Sequence, residues 1–171
     1  MRSFTKTFVS HRRTIEDPFK IAVVDVDDYC MIQLQLKSGG IGLLEASRFA
    51  TGSSNQIIFK IYGAQGALKF DLTNSNYLYY YDIADPKQPL GGYSGFKAIQ
   101  TIQQYPDCSF GDPLSEAGWM RYHIASQYYF LQSIVTGKPH EPDLQSGYEI
   151  QKVLEAAYQA ADNQQDWVQI N

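Results

Sequence analysis

Cysteine is scarce in this sequence, with only Cys30 and Cys108 in 171 residues. Two thiols cannot supply the disulfide framework of a small secreted domain. Neither has the paired spacing of a zinc site or a redox centre. The N-terminus has no signal-like apolar segment, and a reduced, cytoplasmic setting is the expectation. No apolar run approaches the roughly 20 residues needed to cross a bilayer. Charge is thin as well, with 14 Lys and Arg against 18 Asp and Glu, a net charge of −4. That balance gives no basic footprint for a nucleic acid. The one basic concentration, Arg2, Lys6, Arg12 and Arg13, reads as a solvated N-terminal segment. No strand-like run is followed by Gly-x-Gly-x-x-Gly, so nothing here sets a pyrophosphate on a helix N-terminus.

What is present has the balance of an ordinary globular protein, 44% apolar and 19% charged, and a length that suits one domain over residues 1–171. Strand-like runs come first. Residues 3–10 alternate, and 11–20, with Pro18 and mixed charge, reads as a loop. From Tyr29 to Lys37 the alternation is clean, with Cys30, Ile32, Leu34 and Leu36 on one face and Gln33, Gln35 and Lys37 on the other. Ser38-Gly39-Gly40 supplies a hairpin turn and Ile41 to Phe49 returns. A second hairpin, Gln56 to Tyr62 and Ala67 to Leu72, surrounds Gly63 and Gly66; an Asn74-Ser75-Asn76 turn and the aromatic strand Tyr77 to Tyr81 follow. Phe96 to Ile102 is a further strand candidate, and residues 85–95 and 105–113 read as loops.

The period then changes. Met120, Ile124, Tyr128, Leu131 and Val135 recur at helical spacing, and Gly137 stands where a C-cap glycine belongs. Asp143 to Gly147 opens a last helix with the apolar stripe Ile150, Val153, Leu154, Ala157, Tyr158 and Ala161, expected to pack on the Cys30–Leu36 face. Trp167 to Ile170 is a terminal extended segment that rejoins or docks on the sheet. Strands segregated from helices predict an α+β fold, a largely antiparallel open sheet with helices packed on one face.

Few residues stand out as chemistry. Arg48 closes a strand beside a polar turn, and its guanidinium offers a fixed fork of donors. It either meets a ligand or pairs with a carboxylate such as Glu45 or Asp71. Trp119 and His123 stand four apart on one helix face with Gln127 a turn further on. They could hold a sugar ring by stacking and hydrogen bonds, or pack as core, with His123 on a backbone carbonyl. His11 and His140 give no two-histidine spacing on one element. Glu141 and Asp143 flank Pro142 before a helix, where acids complement the helix N-terminus. The run Tyr77 to Tyr81 reads as a sheet face, a possible oligomer contact, and Asn55 as a turn residue. No residue is assigned to catalysis, to a cofactor or to a metal.

The ordered set of Val26-Asp27-Asp28, the Gly-Gly hairpin, Ser47-Arg48…Gly52…Asn55, Gly63-x-x-Gly66, Phe130…Ile134…Gly137-Lys138, Pro142-Asp143…Gly147, Val153-Leu154-Glu155-Ala156-Ala157-Tyr158 and Trp167-Val168 resembles the C-terminal domain of the Gfo/Idh/MocA oxidoreductases. The resemblance runs from about Val24 to Val168. It implies one wall of a substrate cleft in an NAD(P)-dependent sugar or inositol dehydrogenase. It also implies sheet-to-sheet homodimers, and it favours Arg48 as a substrate or cofactor contact. The family's Rossmann domain, its Glu-Lys-Pro lysine and its Asp and His near the junction are not in this sequence. The expectation is therefore that the chain is inactive alone, with NAD or NADP held by the rest of a longer parent. The rival is a stand-alone, non-enzymatic oligomerisation or ligand-binding module. A lipocalin-like or cystatin-like binder fits less well, because of the Ser47-Arg48 to Gly66 pattern.

Overall fold

The computed structural model describes residues 1–89, 92–101, 118–163 and 166–170. The chain falls into two compact units, one of residues 1–52 with 141–171 and one of residues 53–140. Cys108 and the 105–113 loop lie outside the described residues, as does the end of the strand expected to reach Ile102.

In the first unit, β1 (Arg2–Lys6), β2 (His11–Arg13), β3 (Ile21–Val23), β4 (Tyr29–Gln35) and β5 (Ile41–Ser47) are strands. They form an antiparallel sheet in the order β1-β4-β5 and a separate β2-β3 hairpin. The β4–β5 turn closes with Leu36 N–H on the Gly40 carbonyl and Gly39 N–H on the Leu36 carbonyl, both at 2.9 Å. Gly39 there has φ 89°, which favours glycine. The expected strand over 3–10 stops at Lys6, because the Phe8 and Val9 N–H groups turn to the Asp28 carboxylate instead of a neighbouring strand. The 11–20 loop contains β2, a correction. Its three residues are all exposed, so no buried face left an apolar alternation to read.

The second unit holds β6 (Ile58–Tyr62), β7 (Gly66–Asp71), β8 (Tyr77–Asp82) and β9 (Lys97–Gln100), an antiparallel sheet in sequential order. Gly63 N–H donates to the Gly66 carbonyl at 2.8 Å and sets the β6–β7 turn. The expected turn at 74–76 begins as a short 3-10 helix, Leu72–Asn74, which Asp71 caps by accepting from Thr73 N–H. Then α1 (Met120–Thr136) ends on Gly137 at φ 66°, as its position predicts. Its buried residues are Arg121 and Ala125, whereas Met120, Leu131 and Val135 of the expected stripe are exposed. Tyr122 Oη donates to the Ser75 carbonyl at 3.2 Å, tying the first turn of α1 to the segment before β8.

The last helix, α2 (Leu144–Asp162), belongs to the first unit. Its N-cap Asp143 accepts from Ser146 N–H at 2.8 Å and from Ser146 Oγ at 3.1 Å. Capping is therefore the role of this acidic pair's second member. As expected, α2 covers the Cys30–Ile32–Leu34 face. Met1, Ile32, Ala156 and Ala157 form the buried cluster, with Cys30, Leu34, Val153 and Val168 packed on it. Leu36, half exposed, is not part of it. The alanines and Val153 make the contact, whereas Ile150, Leu154 and Tyr158 of the expected stripe are exposed. Ala160 is 0% exposed, whereas Leu154 is 41% exposed. Small side chains let helix and sheet approach closely, and the Ser3 hydroxyl reaches the Ala157 carbonyl of α2. The terminal segment docks on the start of β1: Val168 N–H donates to the Met1 carbonyl at 2.7 Å, and the Met1 amine to the Val168 carbonyl at 2.6 Å.

Candidate functional site

The polar end of the β1-β4-β5 sheet is organised by the acidic pair that precedes β4. Asp28 is buried, and its Oδ2 accepts from Phe8 N–H at 2.9 Å and Val9 N–H at 3.0 Å. Its Oδ1 accepts from Arg12 Nη2 at 3.0 Å. Those donors hold the carboxyl below its ordinary range, the Val9 N–H most of all, against the opposing effect of burial. The basic cluster thus divides. Arg12 serves Asp28, while Arg2 lies 5.6 Å over the Trp167 ring and donates from Nε to Gln33 at 2.6 Å.

Arg48 follows β5 directly. Its backbone N–H donates to the Asp28 carbonyl at 2.8 Å, which fixes it next to the acidic pair. Its side chain is exposed, and among the described residues of its unit it makes no ion pair. Asp71, one suggested partner, accepts instead from Thr73 and Gln56. Beside Arg48 is a contact the sequence reading missed. Tyr158 Oη of α2 donates to Asp27 Oδ1 at 3.1 Å, a pairing across 131 positions. That hydrogen bond to Asp27 pushes the phenol up, followed by the charge of Asp27, while Arg48 acts in the opposite direction. The Cys30 thiol is pushed up by burial first and then by Asp27. The available signal was a tyrosine, with its polar tip, inside an otherwise apolar stripe. No local pattern reports its approach to Asp27, 131 positions away.

In the other unit, Trp119 is the residue before α1 and His123 lies one turn on. Their rings meet edge to face at 5.0 Å and 86°. Trp119, His123 and Gln127 are all exposed. They form an open aromatic, imidazole and amide face rather than a packed one, and such a face can stack on a ring and hydrogen-bond its hydroxyls. His140 stacks on Tyr129 at 4.0 Å and 12°, and His11 lies 3.0 Å from Ser10 Oγ. Among the described residues no group of three or more His, Cys, Asp or Glu converges to hold a metal ion.

A shallow hollow of about 290 Å³ opens where β6 and β8 end and β7 begins, lined by Tyr62, Gly66, Tyr81, Ile83 and Phe96 among others. The registers set Lys60 opposite Lys69 and Lys69 opposite Tyr79. Lys60, Tyr62, Lys69, Tyr77, Tyr79 and Tyr81 therefore share one face of this sheet, while Phe59 and Ile61 stand exposed on the other. Gln33 and Gln35 belong to the three-stranded sheet of the first unit.

Comparison with known proteins bears on this arrangement. Residues 4–170 match the oxidoreductase family, C-terminal alpha/beta domain, of the Gfo/Idh/MocA group. Levoglucosan dehydrogenase of Pseudarthrobacter phenanthrenivorans is 27% identical over 155 residues, which cover 86% of this chain and 37% of that protein. An oxidoreductase domain protein from Kribbella flavida superposes with a TM-score of 0.83 at 28% identity, over 99% of this chain and 44% of its own. A levoglucosan dehydrogenase solved with NADH and levoglucosan gives 0.84 at 25% identity, with the same coverage of 99% and 44%. The chain thus spans less than half the length of these relatives. With a family match along almost its whole length and an antiparallel α+β fold, this chain belongs to the Gfo/Idh/MocA oxidoreductases as their C-terminal alpha/beta domain.

Proposed function

We propose that residues 1–171 act as one substrate-side domain of an NAD(P)-dependent sugar or polyol dehydrogenase. Arg48, Trp119 and His123 are its ligand contacts, and a sheet face is its homodimer interface. The family match over residues 4–170 carries this reading. The exposed Arg48 guanidinium and the exposed Trp119–His123 pair are consistent with it. Hydride would pass between a substrate carbon and a nicotinamide bound outside these residues. A cytoplasmic location goes with the reading. Among the described residues no helix is long and apolar enough to cross a membrane.

The test begins with calorimetry. NAD(H) and NADP(H) are expected not to bind the chain by itself, and micromolar binding would overturn that. The DNA upstream of Met1 decides between this reading and a stand-alone, non-enzymatic module. A continuous frame with a glycine-rich dinucleotide loop supports the enzyme, whereas a start site at Met1 supports the module. For the dimer, the face carrying Lys60, Tyr62 and Lys69 with Tyr77, Tyr79 and Tyr81 is broad and rich in tyrosine, a residue enriched at interfaces. A two-fold contact through it is self-complementary. Sedimentation equilibrium at micromolar concentration is expected to give twice 19.4 kDa. A single species of 19.4 kDa throughout rejects the dimer. A dimer that survives Tyr62→Glu with Tyr79→Glu moves the interface elsewhere.

A further inference from the structure

We propose that the two-fold axis of the homodimer runs along the strands between β7 and β8, so that β7 of each copy lies over β8 of the other. Lys69 then meets the partner's Tyr79, and Ala67 meets the partner's Tyr81. This rests on the reading of the lysine- and tyrosine-bearing face as the homodimer interface, and it names the contacts that select one arrangement of that interface.

The registers lay the face out as a grid. Its columns are β6, β7, β8 and β9, in that order. One row runs Tyr62, Ala67, Tyr81, and the next runs Lys60, Lys69, Tyr79, Ala98. The cations stand on β6 and β7, whereas β8 carries the tyrosines 77, 79 and 81. Ala67 is the short side chain between two rings, and the hollow of about 290 Å³ opens there. Lys60 and Lys69 are like charges set directly opposite each other, an unfavourable cross-strand pair. Among the described residues neither forms an ion pair. Lys69 Nζ already lies 5.5 Å from the ring centroid of its own Tyr79, so a tyrosine on this face is a site that a cation takes.

Sheets stacked face to face keep their strands within about 30° of one another, so a central two-fold axis has two orientations. Set across the strands through the lysine row, it returns each column onto itself. Lys60 then lies over the partner's Lys60, and Lys69 over the partner's Lys69. Sliding that axis by half a row toward Asp71 pairs Lys69 with the partner's Asp71, but leaves the Tyr62, Ala67, Tyr81 row uncovered. The Asp71 carboxylate, moreover, already accepts from Thr73 and Gln56. Set along the strands between β7 and β8, the axis keeps the rows and exchanges the columns. Lys69 falls over the partner's Tyr79 and Lys60 over the partner's Ala98. Ala67 falls over the partner's Tyr81, whose ring enters the hollow. Each of these contacts is made twice. This orientation alone matches cation to ring and small side chain to large across the whole face.

The experiment measures association of the 171-residue chain by sedimentation equilibrium, and of mixed variants by native mass spectrometry. Ala67→Trp overfills the hollow and Tyr81→Ala empties the contact. Each is expected to weaken the dimer by about tenfold or more. Mixing the two single variants is expected to give a heterodimer within about threefold of wild-type affinity, because the enlarged position 67 of one chain meets the vacated position 81 of the other. Compensation inside one chain cannot produce that result. Lys69→Glu is the second variant, expected to weaken association by about tenfold, with no preference for pairing with wild type. A Lys69→Glu chain that pairs with wild type more tightly than either pairs with itself overturns the axis, since it places lysine over lysine. Single variants that weaken the dimer without rescue on mixing also overturn the axis and leave the sheet-face dimer standing. A dimer untouched by all three substitutions, or a wild-type chain that stays monomeric, overturns both.

Discussion

Substituting Ile32 by alanine tests whether the alanine seam of α2 is the core of the first unit. Ile32 is 6% exposed and sits against Met1, Ala156 and Ala157. Removing its outer carbons loses about 0.8 kcal/mol of transfer free energy for each methylene-sized group. Alanine neighbours have no rotamer with which to fill the space, so most of the cavity persists and adds its own term. Together these give about 3 kcal/mol, within the usual range for such truncations. With a urea slope of about 2 kcal/mol/M, the midpoint should fall by about 1.5 M. Leu154→Ala is the internal control. At 41% exposure it leaves no closed cavity, and its cost should be about 1 kcal/mol. The two variants would be compared by circular dichroism in urea. A Leu154→Ala shift equal to or larger than that of Ile32→Ala would refute the alanine seam and restore the large residues of the stripe as the core.

Two further outcomes are expected. The Asp28 carboxyl is held below its ordinary value, so its stabilising effect is present above the unfolded pKa of about 4 and is lost as pH falls through the lower folded value. Wild-type urea midpoints between pH 5 and pH 2 should decline more steeply than those of Asp28→Asn, which starts lower at neutral pH; parallel curves would show that Asp28 contributes nothing to the acid limb. A side chain at Gly66 would collide with the Tyr81 carbonyl across the β7–β8 pairing, so Gly66→Ala should cost about 2 kcal/mol or more and shift amide resonances along β8, and a wild-type urea midpoint would contradict the pairing register.

Local chemistry settled much of this fold before any coordinates. Period-two alternation located β4, glycines marked the β4–β5 and β6–β7 turns, and Gly137 and Asp143 bounded the helices, because each is a property of a few adjacent residues. The same locality explains the misses. The β2–β3 hairpin buries nothing, so it left no pattern, and β1 ended early because a carboxylate 20 positions away took its next N–H groups. For α2 the sequence identified the face but not the depth of contact. Bulky residues dominate any apolar stripe, yet helix–sheet approach is limited by the smallest side chains at the seam, and those were Ala156, Ala157 and Ala160. Arg48, Trp119 and His123 could be nominated from residue type and spacing alone. Which groups they lie beside depended on partners far along the chain, which only the folded structure supplies: Asp28 engaged by Arg12 and two backbone donors, and Tyr158 brought to Asp27 from 131 positions away.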